Sequence, residues 1–442
     1  MNRIILSLYS LLMWVAQPFL RGKLARRSLQ EPGYGEAVQE RFGHYSQPEE
    51  AQADLVWVHA VSLGETRTAA LLVKALRAEH PGLRILLTSG TATGRAEGES
   101  LLREGDIHIW QPWDSAAAVA RFFDHFKPRL GLLMETEVWP NLVAAAGARA
   151  VPLVLVNGRL SEKSLRKALA ISPLSYPAFG ALAAVYAQTG DDAKRFRQLG
   201  VDVAGVFGNL KFDARPDMDQ QATGKAWRQA LARQVVMFAS SREGEEGAFF
   251  KEISATAQQR RATPAIDVIA ADIFPPKFLI VPRHPQRFDE VQALAEQHGL
   301  RVSRRSGWAA GPADSEEAMS ADVWLGDSLG EMALYYALSD VALLGGSFEP
   351  LGGQNLIEAA ACGCPVVMGL HTFNFTEAAD LAEAAGAARR VADMPEAVHT
   401  SLVLLARPDA HQAAVAASFA FTAGNRGATQ KTLAALRPLL RR

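Results

Sequence analysis

The sequence predicts an α/β protein of two Rossmann-like domains that face a central cleft, preceded by an N-terminal membrane-anchor helix. Three observations support this prediction. Short apolar runs alternate with helical patterns, which is typical of parallel sheets covered on both faces. The series of runs ends near residue 212 and begins again at residue 235. The length of 442 residues suits two domains better than one core.

The first thirty residues predict the anchor. Residues 4–20 form an apolar run, and four Lys and Arg residues follow between positions 21 and 27 without an acidic residue. The run is near the lower limit for crossing a bilayer, so a spanning helix and an interfacial helix both stay open. Since the basic cluster follows the run, the positive-inside rule places the remainder of the chain in the cytoplasm. The alternative is a core helix that packs on the first domain.

Two series of strands define the domains. Residues 31–212 form the first domain, with strand candidates at 55–59, 84–88, 130–134, 152–156 and 183–186. Residues 224–442 form the second, with candidates at 235–239, 278–281, 341–344 and 366–368. The polar segment 213–223 is the expected linker. Because ligands of open α/β sheets bind beyond the carboxyl ends of strands, the residues after each strand are the candidates for chemistry.

Composition excludes several classes of function. With 46 Lys and Arg against 47 Asp and Glu, the chain does not resemble a general nucleic-acid binder. Cys362 and Cys364 are separated by one residue, which suits neither a disulfide nor a zinc site and predicts reduced thiols. Neither a P-loop nor a G-x-G-x-x-G fingerprint occurs, so we expect no phosphoryl transfer from ATP and no cofactor.

Glu65 is the candidate general base. It ends the motif Ser62-Leu63-Gly64-Glu65, which follows the first strand and opens a helix. Gly64 lets the backbone turn close to a ligand, and a carboxylate there can take a proton from a hydroxyl. The alternative is a helix-capping glutamate, because a helix N-terminus stabilises a carboxylate as the anion.

Further charged residues follow later strands of the first domain. Glu135 and Glu137 precede a Trp-Pro turn, and like-charged neighbours at a strand end are usually kept for function. Lys211, in the segment 208–212, places a cation beside a glycine, where it can meet a carboxylate or a phosphate.

A basic run begins at Arg159 and continues with Lys163, Arg166 and Lys167. These cations are the candidates for binding acceptor phosphates at a bilayer surface. An ordinary solvated helix face explains the same pattern equally well.

The second domain supplies candidates for phosphate binding. Arg283 lies between prolines after a strand, in a rigid segment that suits a phosphate or a base, whereas His284 is expected to be structural. Two glycine pairs follow a later strand, at 345–346 and 352–353, and the second pair opens a helix. Backbone N–H groups in such a loop can face a phosphate, and Glu358 can accept both hydroxyls of a ribose.

The string Asp217-Met218-Asp219 has the D-x-D pattern that holds a divalent metal in many sugar transferases. It lies in the polar linker with no strand before it, and hard cations need several convergent oxygens. His and Cys residues are not grouped as in zinc sites either. The sequence therefore predicts no metal site.

Together and in this order, these motifs resemble the Kdo transferase family of Gram-negative bacteria. Those enzymes add 3-deoxy-D-manno-octulosonic acid (Kdo) from CMP-Kdo to the lipid A precursor (lipid IVA) at the inner membrane. The resemblance covers nearly the whole chain: the anchor and residues 40–43, 62–65, 135–140, 208–212, 282–284, 327–331, 345–358 and 371–375.

The resemblance implies a GT-B transferase with the donor on the second domain and the acceptor on the first. It implies Glu65 as the base, with Glu135 and Lys211 stabilising the transition state. Arg159 and Lys163 are the expected acceptor-binding residues. The residues expected to bind the donor are Pro282, Arg283, Leu329, Gly330, Glu331, Gly345, Gly346, Ser347, Gly353, Asn355, Leu356, Ile357 and Glu358. Many family members have histidine where this chain has Gln354, so position 354 is not expected to be catalytic.

The implied reaction is an inverting, metal-independent transfer of Kdo in lipopolysaccharide core biosynthesis. Two alternatives stay open. The first is another GT-B enzyme of envelope synthesis that uses a UDP-sugar, either a transferase or an epimerase. The second is a membrane-tethered module that binds a nucleotide sugar without turning it over. Such a module would have no use for Glu65 and Glu135, which lie on the half opposite the glycine-rich loop.

Overall fold

A computed structural model describes residues 3–51, 54–262 and 276–441 of the chain. The chain divides into two compact units. Unit 1 comprises Met1–Asp213 together with Arg426–Arg442, and unit 2 comprises Ala214–Asn425.

Unit 1 is built on a parallel sheet. Its strands are β1 (Val56–His59), β2 (Ile85–Ser89), β3 (Ile107–Trp110), β4 (Leu130–Met134), β5 (Leu153–Gly158), β6 (Ala184–Ala187) and β7 (Gly205–Val206). The strand order of this seven-stranded sheet is β3-β2-β1-β4-β5-β6-β7. The order reverses between β1 and β4, which pair in parallel with Val58 opposite Leu132. In open α/β sheets this switch point is where ligands bind.

In the described residues of unit 1, two α-helices precede the first strand of this sheet, and seven further α-helices lie between its strands. They are α1 (Arg3–Val15), α2 (Gln17–Ser28), α3 (Leu63–Glu79), α4 (Ala92–Glu99), α5 (Ala116–Phe126), α6 (Pro140–Ala148), α7 (Glu162–Ala170), α8 (Ser172–Gly180) and α9 (Gly190–Gln198). Apolar side chains cover both faces of the sheet: Trp57 packs with Phe122 and Phe123 on one face, and Val58 packs with Leu72 on the other. The central strands are buried along their whole length, which explains their continuous apolar sequence.

Unit 2 repeats this architecture. Its strands are β8 (Val235–Ser241), β9 (Lys277–Pro282), β10 (Val302–Arg304), β11 (Val323–Leu325), β12 (Val341–Leu344), β13 (Val366–Met368) and β14 (Ala388–Arg390), in the order β10-β11-β9-β8-β12-β13-β14. Its helices are α10 (Met218–Ala230), α11 (Glu245–Ala262), α12 (Phe288–Gln297), α13 (Glu316–Ser320), α14 (Met332–Leu338), α15 (Leu356–Ala361), α16 (Thr376–Ala384), α17 (Met394–Leu405) and α18 (Pro408–Gly424). The predicted α/β class, with two doubly wound parallel sheets, is confirmed.

The two ends of unit 2 differ from the expected boundaries. Helix α10 begins inside the segment 213–223, where Asp217 caps it, so only part of that segment is a linker. The last helix of the chain, α19 (Ala428–Leu440), belongs to unit 1 rather than to the second domain. Its side chains Leu433, Leu436 and Leu440 are buried in the core that also contains Leu72. The physical reason is that an amphipathic helix must bury its apolar face, and the matching surface lies on unit 1.

The N-terminal helices pack on unit 1 through one side of α1. No described helix by itself has the length and apolar character needed to cross a bilayer; the pair Ile4–Val15 and Gln17–Ser28 meets the requirement only jointly, across a bend of 46°. The Ser10 hydroxyl donates to Asn141 Oδ1 over 2.8 Å, and the Tyr9 hydroxyl bonds the Asp114 carboxylate. On its other side α1 exposes large apolar side chains: Ile4, Leu8, Leu11, Leu12, Trp14 and Val15.

Candidate active site

The loop between β1 and α3 holds Glu65 by both carboxylate oxygens. The Ser62 hydroxyl donates to Oε1 and the amide of Val61 donates to Oε2, each over 2.8 Å. Ser62 Oγ also accepts from the amide of Glu65, which caps α3. These reciprocal bonds resemble a capping box, except that the backbone donor to the carboxylate is Val61 rather than the N-cap residue Ser62. The capping interpretation of Glu65 therefore describes its contacts correctly.

The proton affinity of Glu65 is unusual for a capping residue. Burial raises the pKa of Glu65 to about 7, the hydrogen bonds from Val61 and Ser62 lower it, and the carboxylates of Glu135 and Glu137 raise it. A general base works best when its pKa lies near the working pH, because it then exchanges protons readily. The environment of Glu65 is therefore suitable for proton transfer as well as for capping.

A neighbouring turn supports the Glu65 loop. The amides of Gly90 and Thr91, after β2, both donate to the carbonyl oxygen of Val61, over 2.9 and 3.0 Å. A Cβ atom on Gly94 would lie 3.0 Å from the carbonyl carbon of Ser62, so α4 approaches the loop more closely than a side chain would allow. This support could not be predicted from the sequence, because its only local signal is the glycine itself.

Glu135 and Lys211 form an ion pair at the end of β4. Lys211 Nζ lies 3.3 Å from Glu135 Oε1, and both side chains are partly exposed. Glu135 has a φ of 56°, in the left-handed region that non-glycine residues seldom adopt. Such strain at a strand end is characteristic of functional sites. Glu137 lies two residues after Glu135, and Trp139 Nε1 donates to Glu137 Oε2 over 2.9 Å.

Buried amide side chains hold the segment that carries Lys211. Asn157 Oδ1 accepts from the amide of Leu210 over 3.0 Å, and Gln188 Nε2 donates to the Asn157 carbonyl over 2.9 Å. Asn209 Nδ2 then donates to Gln188 Oε1 over 3.1 Å. Gln188 was missed by the sequence analysis, since nothing near it in the chain marks its role.

A buried histidine lies behind the carboxylates. Burial lowers the pKa of His59 to about 3, which keeps the imidazole neutral. Its Nδ1 is 2.7 Å from Thr88 Oγ1, and its Nε2 is 4.0 Å from Glu137 Oε2. Burial is also the main cause that raises the pKa of Glu137. The sequence predicted His59 only as the end of a strand.

The expected acceptor-binding residues lie next to this site and on α7. The amide of Arg159 donates to the carbonyl of Glu135 over 3.3 Å, so the backbone at Arg159 adjoins the start of the segment after β4. Lys163, Arg166 and Lys167 are exposed on α7.

In unit 2, two arginines follow neighbouring strands. The amide of Arg283, after β9, donates to the carbonyl of Ser241 at the end of β8 over 3.0 Å. Arg242 is the next residue after β8, and its charge and that of Arg283 both lower the pKa of His284, after the larger effect of burial. Arg283 was predicted from the sequence and Arg242 was not, although both are cations that directly follow a strand. Pro282 is the buried last residue of β9.

The loop before α14 contains three expected donor-binding residues. Leu329 and Gly330 are exposed, and the Gly330 carbonyl accepts from Gln220 Nε2 over 2.8 Å. The carboxylate of Glu331 pairs with Arg305 over 3.0 Å. Leu329 and Gly330 are thus accessible, whereas Glu331 already has a cationic partner.

The first glycine pair of unit 2 has a different role from the one expected. Gly346 donates its amide to the buried carboxylate of Glu245 over 2.8 Å, and the Phe348 amide donates to the same group over 3.1 Å. A Cβ on Gly345 would lie 2.1 Å from the carbonyl oxygen of Ser240. The expectation that these amides face a phosphate is therefore corrected: an internal carboxylate takes that place, and Gly345 allows the close approach of two loops.

Ser347 completes this loop as a buried residue. Its hydroxyl donates to the carbonyl of Leu344 and accepts from the amide of Gly369, over 2.5 and 2.8 Å. It has no exposed surface, so its expected contact with the donor is corrected to a structural role.

The second glycine pair leads into α15. Gly353 has a φ of 74° and donates its amide to the Gly346 carbonyl over 2.7 Å. Asn355 Oδ1 caps α15 by accepting from the Ile357 amide over 3.1 Å. Leu356 and Ile357 are buried, while Asn355 and Glu358 are partly exposed. Of these expected donor contacts, the side chains of Asn355 and Glu358 are the ones within reach of a ligand.

Metal ligands are not clustered in the described ranges: no three His, Cys, Asp or Glu side chains between residues 3 and 441, outside 52–53 and 263–275, are arranged to hold an ion. The carboxylate of Asp217 accepts from the amides of Asp219 and Gln220 at 3.0 Å. The D-x-D string is therefore the start of helix α10.

Comparison with known proteins agrees with this arrangement. A family model described as 3-deoxy-D-manno-octulosonic-acid transferase (kdotransferase) matches residues 36–214. The chain is 48% identical over 386 residues to the 3-deoxy-D-manno-octulosonic acid transferase of Bordetella pertussis, covering 86% of each chain. It is 29% identical over 443 residues to the enzyme of the same name from Haemophilus influenzae, covering 98% of each.

Solved structures show the same fold at low sequence identity. UDP-GlcNAc 2-epimerase from Neisseria meningitidis superposes with a TM-score of 0.54 and 14% identity, over 87% of this chain and all of that one. MurG from Acinetobacter baumannii gives a TM-score of 0.51 and 13% identity, over 87% and 99%. The 48% identity across most of the chain disfavours the UDP-sugar enzyme and the binding module as alternatives. The chain therefore belongs to the 3-deoxy-D-manno-octulosonic acid transferase family and is a glycosyltransferase.

Proposed function

We propose that this protein transfers Kdo from CMP-Kdo to the lipid A precursor at the cytoplasmic side of the inner membrane, with inversion at the anomeric carbon and without a metal ion. The observation that carries this proposal is the Glu65 carboxyl group, whose pKa of about 7 suits proton transfer. The identity to the Bordetella pertussis transferase supports the choice of sugar.

Glu65 acts as the base. It removes the proton from a primary hydroxyl of the acceptor while the hydroxyl oxygen attacks the anomeric carbon of Kdo. The bond between that carbon and the CMP phosphate breaks as the new bond forms, so CMP leaves with the electron pair. Attack from the face opposite the leaving group inverts the configuration.

Glu135 and Lys211 act on the charge that develops at the sugar. The anomeric carbon becomes oxocarbenium-like as CMP departs, and a carboxylate beside it stabilises the positive charge. Lys211 Nζ lies 3.3 Å from Glu135 Oε1 and holds that carboxylate in place.

Unit 2 stabilises the leaving phosphate. Arg242 and Arg283 follow adjacent strands, and guanidinium groups bind phosphate through paired, charge-assisted hydrogen bonds. Their two positive charges provide the role that a divalent metal has in other sugar transferases. The partly exposed carboxylate of Glu358 is suited to accept the ribose hydroxyls of CMP.

The exposed side of α1 and the cations of α7 support a membrane-bound acceptor. Apolar side chains on α1 provide surface for contact with lipid, and the basic flank in α2 suits anionic headgroups. Lys163 and Arg159 are the proposed contacts for acceptor phosphates. Holding the enzyme at the surface that contains its acceptor raises the effective concentration of that acceptor.

The substitution Glu65→Gln tests the proposed base. We expect turnover to fall by about 10²–10⁴-fold, the usual contribution of a general base. CMP-Kdo binding should persist, because Glu65 lies on unit 1. The measurement is the mass of the lipid after incubation with CMP-Kdo and lipid A precursor, with calorimetry for donor binding. Glu99→Gln, on the exposed part of α4, is the matched control.

Turnover of Glu65→Gln at the wild-type rate would remove Glu65 from the base role. Donor competition tests the sugar: unlabelled CMP-Kdo should suppress transfer from labelled CMP-Kdo, and UDP-sugars should not. Suppression by a UDP-sugar at similar concentration would instead favour another envelope transferase.

A further inference from the structure

Unit 1 contains a groove that the proposed mechanism does not use. It has a volume of about 430 Å³, within the range of about 300–1,000 Å³ of ordinary ligand sites. The groove lies between α1, the segment after Glu135 and the pair α7–α8. Its apolar lining residues include Val138, Trp139, Leu160, Ile171, Leu174 and Phe179.

The groove begins at the segment that follows Glu135. Thr136 and Trp139 belong to its wall, and Thr136 directly follows Glu135. Trp139 also bonds Glu137, so one side chain contacts both the groove and the carboxylate cluster. A ligand in the groove therefore lies beside the residues proposed to carry out transfer.

One end of the groove is cationic. Lys167 lines it, and Lys163 lies one helical turn earlier on the same side of α7. Within the part of the chain that the structure describes, neither lysine forms an ion pair. Free cations beside an apolar groove match an amphiphile that carries both phosphate and hydrocarbon.

The opposite wall is part of α1. Tyr9 lines the groove, while its neighbours Leu8, Leu11 and Leu12 expose more than half of their side-chain surface. A hydrocarbon chain that leaves a bilayer along this helix passes from one apolar surface to the next.

We propose that this groove binds a fatty acyl chain of the lipid acceptor and so places the acceptor hydroxyl at Glu65. The proposal rests on the proposed function and adds a binding site to it. The apolar lining holds the chain, Lys163 and Lys167 hold a phosphate, and the Thr136–Trp139 wall sets the distance between the chain and the catalytic carboxylates.

The experiment compares two acceptors in detergent micelles of fixed composition: the acylated lipid A precursor and its deacylated sugar-phosphate backbone. The variant Ala168→Phe fills the groove, and Ile171→Gln removes apolar surface at a residue that is 54% exposed and therefore tolerant. We expect each variant to raise KM for the acylated acceptor, by about tenfold for Ala168→Phe, which corresponds to a loss of about 1.4 kcal/mol. The KM values for CMP-Kdo and for the deacylated acceptor should stay unchanged.

Ala170→Phe is the matched control, because Ala170 is exposed on α7 outside the groove and should leave every KM unchanged. An unchanged KM for the acylated acceptor in both folded variants would overturn the proposal. So would an equal rise for both acceptors, or a rise seen only when phospholipid is added to the micelles, since the groove would then hold bulk lipid. If the wild-type protein adds no Kdo mass to either acceptor, the proposed function fails instead.

Discussion

The contacts of Glu65 make helix capping compatible with its proposed role as a base. The bonds from Val61 and Ser62 fix both carboxylate oxygens, while burial and the charges of Glu135 and Glu137 weaken its acidity. A fixed carboxylate with a pKa of about 7 is already oriented when it receives a proton, so little reorganisation accompanies transfer. The capping bonds therefore position the carboxylate that we propose as the base.

The raised pKa predicts how activity depends on pH. Below about pH 7 the Glu65 carboxyl group is protonated and cannot accept a proton, so kcat should rise with pH through this value and then level off. The measurement is kcat between about pH 5.5 and pH 8.5 at saturating substrates. Glu137→Gln removes a negative charge that raises this pKa, and should shift the profile to lower pH. A profile that is flat in the wild-type protein would contradict the assignment.

The proposed role of Arg242 and Arg283 predicts how donor binding changes when one cation is removed, and that turnover needs no metal ion. Arg242→Gln removes a cation from the leaving phosphate and should raise KM for CMP-Kdo by about tenfold, as expected for one lost charge-assisted bond. Arg389→Gln, at an exposed position of unit 2, is the control. The assay is repeated with excess EDTA, in which wild-type turnover should persist. Loss of turnover in EDTA that magnesium restores would contradict the charge role of the arginines.

At the scale of elements, α1 is attached to unit 1 by polar contacts. The buried Asp114 carboxylate accepts from the amides of Asn141 and Leu142, over 3.1 and 2.8 Å, and caps the start of α6. Burial raises the pKa of Asp114 to about 6, and the Tyr9 hydroxyl bonds the same group. Helix α6 directly follows the segment from Glu135 to Trp139. The position of α1 and the geometry of that segment therefore both depend on Asp114.

Tyr9→Phe tests this attachment. It removes one bond to a buried carboxylate that keeps its two backbone donors, so we expect a loss of about 1 kcal/mol. Hydrogen exchange of the α1 amides should become about fivefold faster, while exchange in the central strands stays unchanged. Tyr176→Phe serves as control, since Tyr176 is 42% exposed on α8. Equal exchange rates in Tyr9→Phe and the wild-type protein would show that apolar contacts alone hold α1.

At the scale of the whole molecule, the chain returns to unit 1 after it has formed unit 2. Helix α19 packs beside α3, and the amides of Gly427 and Thr429 at its start donate to the Asp213 carboxylate over 2.6 and 2.5 Å. Asp213 is the residue where the chain leaves unit 1. Both crossings between the units are thus held at one carboxylate, and unit 1 is complete only when the last residues are present.

Leu436→Ala tests the contribution of α19. Leu436 is fully buried in the core of unit 1, so its truncation should lower the free energy of unfolding of that unit by about 2–5 kcal/mol. Arg437→Ala on the same helix is the control, because its exposed ion pair with Glu79 is screened by solvent and contributes little to stability. Denaturant unfolding measures both variants, and calorimetric binding of CMP reports on unit 2, which should be unaffected. Equal stability of Leu436→Ala and Arg437→Ala would exclude a structural role for α19.

Local pattern was sufficient for the class of fold and for most of the proposed catalytic residues. The nine predicted strands are all present within a few residues, because buried parallel strands are apolar along their whole length. Glu65, Glu135 and Arg283 follow such strands, and the carboxyl ends of parallel strands mark the ligand edge of a sheet. Lys211 instead follows β7, which escaped prediction, as β14 did, because neither strand contains a run of apolar residues.

Residues distant in the chain decided the rest. The Glu245 carboxylate takes the amide of Gly346 across 101 positions, Gln188 supports the Lys211 segment through Asn157 and Asn209, and α19 crosses back to the first core. The sequence by itself determined the α/β class and the candidate residues for the proposed chemistry, since charge and strand position are local properties. Tertiary structure alone decided which backbone amides bond within the protein and to which unit each helix belongs. The reason is that buried hydrogen-bonding groups and apolar faces find their partners among residues that are distant in the sequence.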